Sequence, residues 1–213
     1  MHWLDPDYLP EISGTFERFL LNPHGDVDGM ILSEGLEIHF PPHMSTEFRA
    51  LIRNGERPKL KVRGVRPRGS DVIAAVAIET MDGKRIVDNG PPKGHDEDKT
   101  ADAPAKESKH EPMDAEGIVR RVLHGPKGEA RGALLEDGTI IRLPAKEAKH
   151  IAHLLSPGQR LAARGHGLKS ELGTVIDARE VGASSDDLRP LKPKEPKPEK
   201  RKDAAAVNAA TAV

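Results

Sequence analysis

Hydrophobic and polar positions alternate along several short stretches near the start of the chain, and turn residues separate these stretches. The pattern predicts strands over residues 14–21, 27–32 and 36–40, with Leu36, Ile38 and Phe40 on one face of the last. Asn, Pro and Gly residues between the first two stretches, and Ser-Glu-Gly between the next two, are typical of tight turns. We therefore expect a strand followed by a hairpin.

The spacing of apolar residues changes after a Pro-Pro pair. Met44, Phe48 and Leu51 are spaced as one face of a helix, which we expect to end before Gly55. Alternation then returns over residues 59–63, and a continuous apolar run over 72–78 is typical of a buried strand. The predicted order is strand, strand, strand, helix, strand, strand.

The same pattern occurs twice. Displacing the sequence by about 103 positions aligns residues 13–78 with 116–181 without a gap, and gives about 17 identities in about 66 pairs. Most identities are glycine, proline or apolar residues, which specify backbone and core rather than chemistry. The aligned glycines are Gly14, Gly25, Gly29, Gly35, Gly55 and Gly64 with Gly117, Gly128, Gly132, Gly138, Gly158 and Gly167. We infer a tandem duplication of one small β-rich domain, at 13–80 and 116–182.

Five strands with a helix between the third and fourth resemble the OB fold, a five-stranded Greek-key barrel. The resemblance implies a mainly β protein with two tandem OB-like barrels; SH3-like barrels are the second choice because they lack a full helix at that point. It also implies a ligand surface on strands two and three and on the loops that join strands one to two and four to five. The cationic residues that this resemblance selects are His24, His39, Arg66, Arg68, Lys127, Arg142 and Lys169.

Residues outside the two repeats have a different composition. Residues 1–12 form a short arm, and residues 81–115 are rich in Pro, Gly, Lys, Asp and Glu, which predicts a disordered linker. Residues 183–213 are Lys/Pro-rich and then Ala-rich, which predicts a disordered tail. We interpret the tail as solubilising, with a weak electrostatic arm for a polyanion as the alternative.

Composition limits the chemistry and the compartment. The chain has no cysteine, so disulfides, thiolate catalysis and thiolate zinc sites are excluded. The N-terminus has neither a basic start nor an apolar run, and no stretch of about 18 apolar residues follows, so we expect a cytoplasmic protein without a membrane partner. The net charge of −1 argues against tight duplex binding.

Histidines are the most suggestive candidates for other chemistry. Three histidines of the first repeat, His24, His39 and His43, would be enough to bind a transition metal. The second repeat, however, has lysine or arginine at the three aligned positions. Positive charge suits both copies better, so we predict no metal and no cofactor. His150, His153 and His166 are interpreted as solvated, and acidic residues beside turn glycines as turn formers. No catalytic motif stands out, and we predict that the protein is not an enzyme.

These expectations lead to one functional hypothesis and one main alternative. The hypothesis is a non-enzymatic tandem OB-like protein that binds RNA or single-stranded DNA weakly and without sequence preference, because aromatic residues for base stacking are scarce, at 3%. The alternative is a protein-interaction or scaffold module without a nucleic-acid role. A histidine-based metal sensor is a third possibility if His24, His39 and His43 converge. No small-molecule substrate is inferred.

Overall fold

A computed structural model describes residues 5–53, 55–90 and 110–192, which fold mainly as β-strands. The first half contains β1 (Glu11–Leu21), β2 (Val27–Leu32), β3 (Glu37–His39), α1 (Ser45–Leu51), β4 (Lys59–Val65), β5 (Val72–Thr80) and β6 (Arg85–Val87). The second half contains β7 (Glu111–His124), β8 (Ala130–Leu135), β9 (Ile140–Arg142), α2 (Ala145–His150), α3 (Ala152–Leu155), β10 (Arg160–Ser170), β11 (Gly173–Gly182) and β12 (Arg189–Pro190). Each half forms one barrel.

Both barrels close in the same way. In the first barrel β1 pairs with β2 and β4, β2 pairs with β3, β3 runs parallel to β5, and β4 pairs with β5. In the second barrel β7, β8, β9, β11 and β10 repeat this closure, again with one parallel pair between the third and fifth strands. Helices lie between the third and fourth strands in both halves. The predicted fold class, two five-stranded OB-like barrels, is confirmed.

Each barrel has its own core. Phe16, Phe19, Phe40 and Phe48 are all buried in the first, as the sequence predicted. The second barrel fills the corresponding space with smaller aliphatic residues. These include Val119, Ala133, Leu135, Ile141 and Leu143. Within the described ranges, no helix is long and apolar enough to cross a membrane.

The structure corrects the gapless alignment in the fourth strand. Gly14 pairs with Leu60, and Gly117 pairs with Leu161, which lies two positions earlier than the gapless alignment places it. Gly165, rather than the aligned Gly167, is therefore the structural equivalent of Gly64. The chain from Ile38 to Leu60 is two residues longer than the equivalent chain from Ile141 to Leu161, and the chain from Leu60 to Ile73 is two residues shorter than that from Leu161 to Ile176. The strands β10 and β11 take up the extra length, because only residues 171–172 separate them, whereas residues 66–71 separate β4 from β5.

Strands extend beyond the predicted domain bounds. β6 lies inside the segment 81–115 predicted to be disordered, because Ile86 is buried against the first barrel while the strand pairs with β5. β7 also begins inside that segment, and β12 lies inside the predicted disordered tail. β1 begins inside the predicted arm. The rest of the predicted linker and tail, residues 91–109 and 193–213, lies outside the described residues.

Candidate binding site between the two barrels

The barrels pack against each other through apolar residues on the outer faces of their strands. Along β7, β8 and β9 these residues alternate with those that fill the second barrel's own core. Leu123, Leu134 and Ile140 are fully buried and belong to the same apolar cluster as the core of the first barrel. Leu20 and Ile31 occupy the positions equivalent to Leu123 and Leu134, and they are buried in that cluster too. Much of the surface that the OB resemblance assigns to ligand is thus buried between the barrels.

Arg142 on β9 crosses this interface. Its Nε donates to the carbonyl oxygen of Leu21 at 2.8 Å, and its Nη2 pairs with Oδ1 of Asp28 at 2.8 Å. Arg142 is only 7% exposed. Burial raises the pKa of Asp28, and the charges of Arg142 and His39 oppose that shift. The arginine therefore fastens the second barrel to β1 and β2 of the first.

Glu37 forms a second polar contact across the interface. Its Oε1 accepts from the backbone N–H of His124 at 2.8 Å and lies 3.1 Å from Nε2 of His39. Its Oε2 lies 3.1 Å from Nδ1 of His124. Burial raises the pKa of Glu37, but hydrogen bonds from the two histidines outweigh it and lower the pKa to about 2. The carboxylate is thus held ionised between the barrels.

A groove of about 570 Å³ opens beside these contacts, and we call it the inter-barrel groove. Asp28 and His39 line it from the first barrel. The second barrel lines it with residues of its first loop, of strands β7, β8, β9 and β11, of the start of α2 and of the segment after β12. The charged and imidazole side chains that the second barrel contributes to the groove are His124, Arg131, Arg142, Lys146, Glu147, Asp177 and Lys192. This is the strand-two and strand-three side of the second barrel.

Among the described residues, two lysines at the rim of the groove lack an acidic partner, and one groove-lining acid, Glu147, lacks a basic one. Lys146 and Lys192 are exposed, and neither forms an ion pair with any part of the chain that the structure describes. Two of the acids, Asp28 and Asp177, are instead paired with Arg142 at 2.8 Å and with Arg179 at 3.0 Å. The rim lysines therefore offer positive charge that an anion can neutralise.

The structure divides the predicted site residues into buried and exposed groups. His39 and Arg142 are buried and engaged in the contacts described above, so they are reached only through the groove. The exposed residues occupy two pairs of facing segments. His24 lies on the loop after β1 and Lys169 near the end of β10, and the two segments meet where Gly25 contacts Leu168. Arg66, Arg68 and Lys127 lie on loops that meet where Gly128 contacts Ser70.

The sequence did not select several residues that line the groove. Arg131, His124 and Lys192 were missed, and Lys146 was recognised only as the counterpart of His43. Arg131 lies on β8, one of the strands that the resemblance named, so its charge was a usable signal. Lys192 fell within the predicted tail. The position of His124 depends on how the two barrels pack, which the sequence did not indicate.

The histidines of the first repeat have separate partners. His43 lies 3.3 Å from Asp88, and the ring of His24 packs edge-on to His110 with centroids 5.9 Å apart. His39 contacts Glu37. Among the described residues no three His, Asp or Glu side chains are grouped to hold a metal ion.

No family model matches the chain, and no curated protein matches it. Among solved structures, the wild-type single-stranded DNA binding protein from Thermus aquaticus is 13% identical with a TM-score of 0.26, covering 90% of this chain and 96% of that one. A deletion mutant of the Thermus aquaticus protein is 14% identical with a TM-score of 0.26, covering 89% and 96%. The fold assignment therefore depends on the strand order and pairing of the two barrels themselves.

Proposed function

We propose that this chain is a non-enzymatic nucleic-acid-binding protein that holds single-stranded RNA or DNA weakly in the inter-barrel groove. The observation that carries the proposal is the pair of rim lysines, Lys146 and Lys192, on the strand-two and strand-three side of the second barrel, beside Arg131, which is itself paired with Glu129 at 3.2 Å. OB barrels bind oligonucleotides on that side. The acids Asp28 and Asp177 are held in ion pairs, which does not suit them to proton transfer.

The aromatic residues support weak binding without sequence preference. All four phenylalanines are buried, and Tyr8, which is 89% exposed, lies before β1 rather than in the groove. Stacking on aromatic side chains contributes about 1–3 kcal/mol per base in single-strand binders. No Phe, Tyr or Trp among the described residues lines the groove, so phosphate charge dominates the binding there and affinity falls steeply as salt rises.

Fluorescence polarisation of the full chain with labelled single-stranded RNA and DNA, titrated at several salt concentrations, tests the proposal. We expect saturable binding that Lys146→Glu combined with Lys192→Glu weakens by roughly tenfold or more. The same pair should lower the slope of log K against log salt by about 0.7 for each phosphate that the protein no longer neutralises. Arg49→Glu combined with Arg57→Glu is the charge-matched control, because both arginines are exposed and neither lines the groove.

Two results would contradict the proposal. One is no binding even at low salt, which favours the alternative of a protein partner. The other is an equal loss of affinity in the groove variant and in Arg49→Glu combined with Arg57→Glu, which means that overall charge rather than the groove holds the nucleic acid.

A further inference from the structure

The inter-barrel contacts have the form of a two-fold symmetric dimer. Nη2 of Arg18 donates to the carbonyl oxygen of Gly138 at 2.9 Å, and Nη2 of Arg121 donates to that of Gly35 at 2.8 Å. Arg18 and Arg121 hold equivalent positions in their barrels, opposite Ile31 and Leu134 respectively. Such reciprocity is the mark of an isologous interface, in which residue i contacts j and j contacts i.

Glu17 and Arg120 lie on the axis of this pseudo-symmetry. Each is the residue at a β-bulge, in β1 and in β7 respectively, and bulges redirect side chains. The two equivalent residues form an ion pair with each other, Arg120 Nη2 with Glu17 Oε1. In a pair of two first barrels, Glu17 would instead face a second Glu17. In a pair of two second barrels, Arg120 would face Arg120.

The contacts away from the axis favour the same pairing. Arg142 pairs with Asp28, whose structural counterpart in the second barrel is Arg131. Two second barrels would therefore bring Arg142 against Arg131 in both halves of the interface. In a pair of first barrels, Glu37 would also have no imidazole in place of the His124 ring, because Leu21 occupies the equivalent position.

We infer that this interface selects its partner: charge differences at equivalent positions make the first barrel pair with the second barrel and reject a second copy of itself. Like charges facing each other across an interface oppose association and serve to exclude wrong partners. The apolar cluster stabilises the interface without distinguishing the two barrels, and the charged pairs determine which barrel is bound. This inference is independent of any nucleic-acid binding.

The direct test cuts the linker of the folded protein. A protease recognition sequence inserted between residues 91 and 109 allows the full chain to be cleaved into two fragments. The fragments are then left to exchange partners, and the masses of the resulting complexes are measured by native mass spectrometry. We expect complexes of one first barrel with one second barrel to outnumber like pairs by at least tenfold. Like pairs in comparable amounts, or fragments that separate entirely, would overturn the inference.

A charge-swap cycle in the uncut chain tests the axial pair. Glu17→Arg and Arg120→Glu should each lower the urea midpoint, and the two together should restore most of the loss, because opposite charges face each other again. The matched control is the same swap at Glu116 and Arg160, an ion pair of 2.5 Å within the second barrel. In the cleaved protein, Glu17→Arg should reduce the excess of unlike pairs, whereas Glu116→Arg should leave that excess unchanged, because Glu116 contacts only its own barrel. A double variant at the axis no more stable than the worse single variant would contradict the role of this pair.

Discussion

Glu37 is a charged residue at a position where the other barrel has an apolar one. Its counterpart is Ile140, and both are fully or almost fully buried at the interface. A buried carboxylate requires hydrogen-bond donors, and the two histidines together with the His124 backbone N–H provide them. The sequence placed His39 on strand three correctly. Glu37, which His39 contacts, lies on the same strand, but the second histidine, His124, lies on the first strand of the other barrel.

Ionisation of Glu37 should stabilise the folded protein. Its pKa falls from the usual 4.5 to about 2, so this contribution is fully present above pH 4.5 and is lost as the pH falls through about 2. The shift corresponds to about 3 kcal/mol of unfolding free energy in total. We expect urea denaturation at a series of pH values to give a smaller loss of stability over this window in Glu37→Gln than in the unaltered chain. Asp28 titrates in both proteins, and Gln at position 37 removes only the smallest of the effects that shift the pKa of Asp28. Equal pH slopes would mean that the carboxylate gains nothing from its histidine contacts.

Strand identity and order were predictable at the scale of elements, whereas the register between the repeats was not. Alternation and turn residues located β2 and α1 nearly to the residue, because a period of two or of 3.6 is set by local geometry. The gapless alignment matched Gly64 with Gly167 because a second glycine lies two positions beyond the true equivalent, Gly165. Only strand pairing separates the two, since a change of two residues leaves every side chain on the same face.

Gly165 should tolerate alanine poorly because of where it lies in β10. A Cβ there would come within 2.0 Å of the carbonyl oxygen of Asp177, as one on Gly64 would come within 2.3 Å of that of Ala74. Backbone on the neighbouring strand cannot move aside cheaply, so we expect Gly165→Ala to cost about 2 kcal/mol or more. Gly117→Ala is the control, because its Cβ would meet only the end of the Leu135 side chain, at 3.3 Å. Equal losses of melting temperature in the two variants would contradict the close approach of β10 to β11 at Gly165.

Packing of the two barrels was not predicted from the sequence, although a signal was present. Ala133, Leu134 and Leu135 form an uninterrupted apolar run, as do Ile140 and Ile141. In a small barrel only one face of each strand points inward, so a strand that is apolar on both faces requires a second buried surface. That surface is the other barrel. The arrangement leaves the groove and the loop ends, rather than the full OB face, open to a ligand.

Disulfide trapping across the interface tests the packing of the barrels most directly, since the chain has no cysteine of its own. A Cβ on Gly128 would lie 3.2 Å from the Cβ of Ser70, close to the separation of about 3.5–4.5 Å found in disulfides. Ser70→Cys with Gly128→Cys should therefore form an intrachain disulfide under mild oxidation. The control pairs Ser70→Cys with Gly158→Cys, which has a similar positive φ but no neighbour within 4 Å. Rapid, complete crosslinking of the first pair alone is the predicted result. No crosslink, or equal crosslinking in both pairs, would contradict the packing on which the groove and the partner selection depend.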